Sequence, residues 1–340
     1  MHEVIGALLG GEGSVTIDMW HSFWDCLHEG GGPDRCERAV AMLASLIMCV
    51  PDKASVGALV ASLDARREHP PEQDAVNIVG TGGGPRTFNM STAAAFLAAA
   101  IGVRVVKSGA RAYTSRLGSI DVLELLGVPL VRSHEATADA LDRHGIAFAG
   151  SFVYPPELTV LAKSILPVEM KTLGRFFNSS GPFLAAVPAR CQVTGVSDPS
   201  MLPLLQHLAE NHCRRTVWLC SNGLGVDELV SFDENVIHRD DGSATRLDPS
   251  LLGLSPGSLA DLRPAGGGDE AVRQFTALLC GDGPTAAVES ICLNAASLAV
   301  ASGIEPDWGE ALREARCALD GGRPLALLER LRSPELVASA

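Results

Sequence analysis

Aromatic side chains are scarce. They make up 5% of the 340 residues, with only two tyrosines, so the 46% hydrophobic share rests mainly on Ala, Val and Leu. Small apolar residues of this kind suit helices packed closely on a sheet. Basic residues are also in deficit: 27 Lys and Arg stand against 40 Asp and Glu, giving a formal charge of −13. A chain this acidic gains nothing from a nucleic-acid backbone, which demands clustered Lys and Arg, so no nucleic-acid partner is expected. Sites for small anions stay open. The nine cysteines contain no C-x-x-C, and their number is odd, which argues against a disulfide framework or a zinc site. They are expected to be small apolar fillers in a reducing compartment. No uncharged apolar run is long enough to span a bilayer, and no basic start leads into an apolar signal core. The expectation is a cytoplasmic protein without a membrane partner.

What is there divides the chain in two. The first seventy or so residues read as helix, with apolar residues at helical spacing over Arg35 to Ser45 and Ser55 to Arg66. His69-Pro70-Pro71 marks a linker. From Ala75 the pattern becomes strand (Ala75 to Val79), glycine loop, helix (Ser91 to Ile101), strand (Val103 to Lys107), the signature of parallel strands joined by crossover helices. Further strands are expected at Ile146 to Ala149, Gln192 to Val196 and Thr216 to Cys220. Helices are expected over Glu270 to Leu279, Thr285 to Ala301, Trp308 to Leu319 and Leu325 to Leu331, with Ala265 to Asp269 as a loop. The fold class is α/β. A small all-helical N-terminal domain (1–72, completed by about 167–185) precedes a large α/β domain (73–340) whose mainly parallel central sheet is flanked by helices.

The most informative stretch is VGTGGGPRTFNMST, Val79 to Thr92. Its glycines let backbone amides approach an anion, and the helix that follows presents free N–H groups at its start. An ordinary glycine turn before a capped helix would look similar. Two nucleotide motifs fail on spacing. A P-loop needs Gly-Lys-Ser/Thr at its end, and no Lys lies here. The dinucleotide fingerprint needs glycine where Pro85 stands and an acid near Lys107.

This segment resembles the G-T-G-G-D-G…T-F-N-I-S-T motif of the anthranilate phosphoribosyltransferase family, whose wider group includes pyrimidine nucleoside phosphorylases. KSGARAYTSRLGSIDVLELLG, Lys107 to Gly127, resembles that family's K-H-G-N-R…S-G-S-A-D-V-L-E-A-L-G, and GVDEL, Gly225 to Leu229, resembles G-L-D-E. QVTGVSDPSML (Gln192 to Leu202) and ESICLNAASLAVASG (Glu289 to Gly303) are smaller echoes. The likeness runs in order along almost the whole chain. It implies a pentosyltransferase that moves 5-phosphoribosyl from phosphoribosyl pyrophosphate to a small aromatic acceptor with Mg2+, through an oxocarbenium-like transition state, in a homodimer joined through the helical domain. By the same resemblance Asp227, Glu228 and Ser91 hold the metal. Gly80, Thr81, Gly82, Gly83, Thr87, Asn89, Ser91, Thr92, Lys107, Gly109, Arg111 and Ser119 bind the donor. Asp121 and Glu124 match too and are expected to serve capping or packing.

The departures cluster on the acceptor side. The glycine loop lacks the family's Asp, with Gly84-Pro85 in its place. Ser108 and Ala110 replace the His and Asn of K-H-G-N-R. The family's Arg after a Pro-Val pair is missing, because Pro167-Val168 is followed by Glu169 and Met170. A carboxylate acceptor facing Glu169 would meet a like charge. The expected acceptor is therefore aromatic or heteroaromatic but not anthranilate, in specialised metabolism. Ser108, Ala110, Tyr113, Glu169, Met170 and Asn178 are the expected acceptor wall, and Glu169 is the candidate base. Two other readings stand beside it: nucleoside phosphorylase-type transfer, and a non-catalytic ligand-binding relative.

Overall fold

A computed structural model describes residues 2–10, 13–29, 33–48, 51–109, 117–166, 175–212 and 214–332, without the side chains of residues 175, 178, 179 and 212. Ala110, Arg111, Tyr113, Glu169 and Met170 lie outside the described residues, as does the side chain of Asn178. The chain divides into two compact units, one of residues 1–69, 154–186 and 203–213, the other of residues 70–153, 187–202 and 214–340.

The first unit is helical: α1 (Glu3–Gly10), α2 (Ile17–Glu29), α3 (Pro33–Met48), α4 (Lys53–Asp64), α8 (Pro156–Ser164), α9 (Arg175–Leu184) and nearly all of α10 (Leu202–His212). Several of the chain's few aromatics gather here. Trp20 and Trp24, one turn apart on α2, stack at 5.9 Å, and Phe23 meets both edge-on. Each indole N–H finds a partner on α4, Ser55 O for Trp20 and Ser62 Oγ for Trp24. Large rings can therefore be buried without leaving a donor unmet. Asp52 caps α4 by accepting the N–H groups of Ala54 and Ser55.

The second unit carries a seven-stranded sheet in the order β3-β2-β1-β4-β5-β6-β7. Its strands are β1 (Gln73–Gly80), β2 (Val105–Ser108), β3 (Ile146–Ala149), β4 (Ala189–Gly195), β5 (Thr216–Asn222), β6 (Asn235–Arg239) and β7 (Ala244–Leu247). The first five pair in parallel, and β6 and β7 extend the sheet antiparallel. The α/β class and the mainly parallel sheet are as the sequence predicts. The hairpin β6–β7 was not foreseen: its strands are only five and four residues long, and half their side chains are polar.

Helices α5 (Met90–Ala100) and α12 (Thr285–Ser302) pack on one another and on the strands. Ala93, Ala94, Ala95 and Ala98 of α5 and Ala295, Ala296 and Ala299 of α12 are all fully buried. The small side chains predicted from composition thus lie where two helices and a sheet meet. Helix α12 is long and apolar enough to cross a membrane by length and composition, but 78% of it is buried inside the protein as a core helix. The remaining helices are α6 (Ser119–Leu125), α7 (His134–His144), α11 (Gly268–Leu279), α13 (Trp308–Asp320) and α14 (Arg323–Leu331). Helix α11 takes in Gly268 and Asp269, the last two residues of the expected loop at Ala265 to Asp269. Burial pushes the thiols of Cys191, Cys220 and Cys292 up to about 12, as befits inert fillers, whereas Cys280 and Cys317 are exposed.

Candidate active site

From β1 the chain crosses to β2 on one side; from β4 it crosses to β5 on the other. The C-terminal ends of β1 and β4 are therefore the point where strand order reverses, the place where open parallel sheets bind ligands. Both strands end there in glycine, Gly80 and Gly195, paired in register. A Cβ on Gly80 would lie 2.0 Å from Asp227 Oδ2, and one on Gly195 would lie 1.6 Å from the Asp227 carbonyl oxygen. Only glycine at both positions lets Asp227 settle over the strand ends.

The loop carrying Asp227 and Glu228 is held by its own polar frame. Asn222, at the end of β5, accepts the N–H groups of Leu224 and Val226 and donates to the carbonyls of Val226 and Glu228. Asn294 of α12 then clamps Leu229 through both its N–H and its C=O. The glycine loop is tied to the strand end of β4 in turn. Ser197 donates its hydroxyl to Gly82 O and its N–H to Thr81 Oγ1. Gly82 and Gly83 both have positive φ, +66° and +85°, which side-chain-bearing residues rarely adopt.

The two carboxylates take up backbone donors of the loop and the helix. Asp227 Oδ2 accepts the Gly82 N–H at 2.8 Å. Glu228 accepts the N–H of Ser91 in the first turn of α5 and the hydroxyl of Thr87 at 3.5 Å. Lys107, at 4% exposure on β2, donates to Ile78 O at 3.0 Å and Ser91 Oγ at 3.2 Å. Burial pulls its ammonium down to about 8, against the pull of Glu228 and Asp227. Burial likewise raises Asp227, with the Gly82 N–H opposing. It raises Glu228 further, assisted by the neighbouring Asp227 charge and opposed by Lys107. Two carboxylates and one ammonium thus leave an excess of negative charge in a partly desolvated place. That excess suits a divalent cation.

Among the described residues no group of three or more His, Cys, Asp or Glu comes together. A cation here would draw protein oxygens from Asp227, Glu228 and the Ser91 hydroxyl, and its remaining ligands from elsewhere, a pattern that fits magnesium with substrate phosphates. Thr92 Oγ1 is buried without a hydrogen-bond partner, and Asn89, which precedes α5, makes no side-chain cap. Asn89 instead borders a hollow of about 220 Å³ with Arg86, Thr87 and Phe88 on one side and Gln274 and Phe275 on the other.

Of the expected donor residues, Gly80, Thr81, Gly82, Gly83, Thr87, Ser91 and Lys107 gather around the two acids. Gly109 and Ser119 form a second group, with Ser119 Oγ seated over the Gly109 Cα. Asp121 accepts the Gly118 N–H, the capping role expected of it. Ser108, expected in the acceptor wall, is fully buried and turned onto Asn77. Sequence reading missed Ser197, Asn222, Asn294 and Gly195. Ser197 and Gly195 fall in a stretch noted only as a minor echo. Asn222 could have been found from the Asn-Gly turn that ends β5.

Known proteins resemble the chain in sequence and in fold. Residues 72–325 match the model of the glycosyl transferase family, a/b domain. Anthranilate phosphoribosyltransferase 2 of Streptomyces coelicolor is 36% identical over 267 residues, covering 76% of each chain. The crystal structure of anthranilate phosphoribosyltransferase from Thermus thermophilus superposes with a TM-score of 0.77 at 29% identity, covering 98% of this chain and 100% of that one. The Saccharomyces cerevisiae anthranilate phosphoribosyltransferase, solved in complex with PRPP and Mg, shares the fold at TM-score 0.80 and 21% identity, over 95% and 93% of the two chains. The protein is a glycosyltransferase built on this α/β domain. More narrowly, it belongs to the anthranilate phosphoribosyltransferase family and is a phosphoribosyltransferase.

Proposed function

We propose that the enzyme transfers 5-phosphoribosyl from phosphoribosyl pyrophosphate to an aromatic or heteroaromatic acceptor other than anthranilate, with magnesium. The observation that carries the donor half is the Asp227–Glu228 pair, gathered with Lys107, Ser91 and the Gly82 amide at the strand ends. In the reaction the C1–oxygen bond to pyrophosphate breaks, a bond from the acceptor nucleophile to C1 forms, and the nucleophile loses its proton. Asp227, Glu228 and the Ser91 hydroxyl would hold Mg2+, which when bound neutralises charge on the departing pyrophosphate. Lys107 adds a fixed positive charge beside the same phosphates. The glycine-loop amides and the first turn of α5, with Asn89 and Thr92, orient the donor so that the acceptor meets C1 on one face.

The acceptor half rests on composition at the matching positions: Ser108 and Ala110 where the family has His and Asn, and Glu169-Met170 where it has Arg. A carboxylate at 169 disfavours an acidic acceptor and suits one with an amine or hydroxyl, whose proton Glu169 would accept. We also propose a homodimer joined through the helical unit, which light scattering on a sizing column tests directly.

Calorimetric titration with phosphoribosyl pyrophosphate, with and without magnesium, tests the donor half. Wild type binds only with magnesium, and an Asp227→Ala/Glu228→Ala double variant loses that binding. Binding to both proteins irrespective of metal would remove the assignment and favour phosphorylase-type chemistry. A screen for pyrophosphate release then decides the acceptor. Turnover of anthranilate as fast as the best heteroaromatic would end the claim of altered specificity.

A further inference from the structure

Strands β1 and β2 part early. Their parallel register holds one pair, Val76 with Val105, although β2 stays paired to β3 as far as Ser108–Ala149 and β1 to β4 as far as Gly80–Gly195. Across the opening, side chains replace the ladder. From one face Lys107 Nζ donates to Ile78 O, a carbonyl the ladder has left free. From the other face Asn77 Oδ1 accepts the Ser108 N–H at 3.2 Å. These bonds flank the same peptide, so the main chain that aims Lys107 is gripped from the residue that follows it.

Asn77 is itself fixed. Its Nδ2 donates to Gln192 Oε1 at 2.9 Å, and that oxygen also accepts Arg215 Nε at 2.9 Å. Gln192 Nε2 donates to Thr194 Oγ1 at 2.9 Å. Asn77, Gln192, Thr194 and Ser108 are all fully buried. A polar chain so enclosed is costly unless every member is paired, and when paired it specifies one arrangement. Here it crosses the sheet from the start of β5 to the end of β2.

We propose that Asn77 is a positioning residue for Lys107: it replaces the missing ladder bond at Ser108 and so sets where the Lys107 ammonium meets the donor's phosphates. The inference rests on the reading of Lys107 as a donor contact. Substituting Asn77 lets the end of β2 drift and weakens donor binding by misplacement of a charge that is still present.

Affinity for phosphoribosyl pyrophosphate with magnesium, measured alongside thermal melting, tests this on the full chain. Asn77→Ala is expected to weaken donor binding about tenfold. Asn77→Ser, which keeps a neutral polar group but is too short to reach the Ser108 N–H, is expected to show the same loss. Thr194→Val cuts the far end of the same network, and is expected to lower Tm while leaving donor affinity within twofold. Donor affinity unchanged in Asn77→Ala, or lost equally in Asn77→Ala and Thr194→Val in step with Tm, overturns the proposal. Should Asn77→Ala not fold, wild-type donor affinity in Asn77→Ser does the same. Lys107→Ala separates the two levels: if it too leaves donor affinity unchanged, the parent reading of the site fails rather than the role of Asn77.

Discussion

At the scale of single residues, the site holds more negative charge than it can comfortably keep. The folded-state pKa of Glu228 is raised by burial and by Asp227, so the folded protein binds its proton more tightly than the unfolded chain does. The sign follows: the contribution of Glu228 to stability is fully present below the ordinary carboxylate range and is lost as pH rises through the raised value. Glu228→Gln removes that cost. In metal-free buffer at neutral pH the variant should melt higher by about 1 kcal/mol, or roughly 1.5 °C, and its Tm should depend less on pH between 4 and 8. It should also lose magnesium-dependent donor binding. A variant that melts lower than wild type across that range would mean Glu228 is held chiefly by its bonds to Ser91 and Thr87. The acids, Lys107 and Ser91 were legible in the sequence because their motifs are local. Asn77, Gln192 and Ser197 were not, because a polar residue in or beside a strand gives no sign of which neighbour it will meet across the sheet.

At the scale of elements, two strands end in glycine so that a loop from a third place in the chain can rest on them. Gly195→Ala should displace Asp227, since the new methyl group would sit within 1.6 Å of its carbonyl oxygen and backbone cannot yield as a flexible side chain does. Donor binding is expected to fall at least a hundredfold while α12 and the sheet remain folded. Isothermal titration with circular dichroism checks both, and donor affinity near wild type would show that the loop can move aside. Most elements were readable from periodicity: α3, α4, α5 and the five parallel strands lie where the apolar spacing put them. The hairpin β6–β7 escaped because its strands are short and face solvent on one side. Arg239, the last residue of β6, lies over the Trp218 ring of β5 at 4.8 Å. Such a contact joins residues far apart in sequence, and no local pattern announces it.

At the scale of the whole molecule, the chain passes several times between a helical unit and an α/β unit. Nothing local in residues 203–213 marks them as belonging with the N-terminal helices, since their apolar spacing is that of any amphipathic helix. Donor and metal together should stabilise the protein through binding to the native state alone. At a hundredfold excess over the dissociation constant the gain is about 2.7 kcal/mol, or roughly 4 °C in Tm for a chain of this length. Either ligand alone should give less than half that shift in differential scanning calorimetry. An equal shift with phosphoribosyl pyrophosphate alone would separate donor binding from the metal. If the two units melt in separate transitions, the shift is expected in one of them only.

The bond from the Gly82 amide to Asp227 gives the site a built-in signal. Glycine amides fall in a sparsely populated window of a nitrogen–proton correlation spectrum, and hydrogen bonding to a carboxylate moves such a proton downfield. When Asp227 turns toward an arriving cation, Gly82 loses that partner and its cross-peak should travel back upfield. A sample labelled only at glycine nitrogen would then report metal entry without turnover, and so without knowledge of the acceptor.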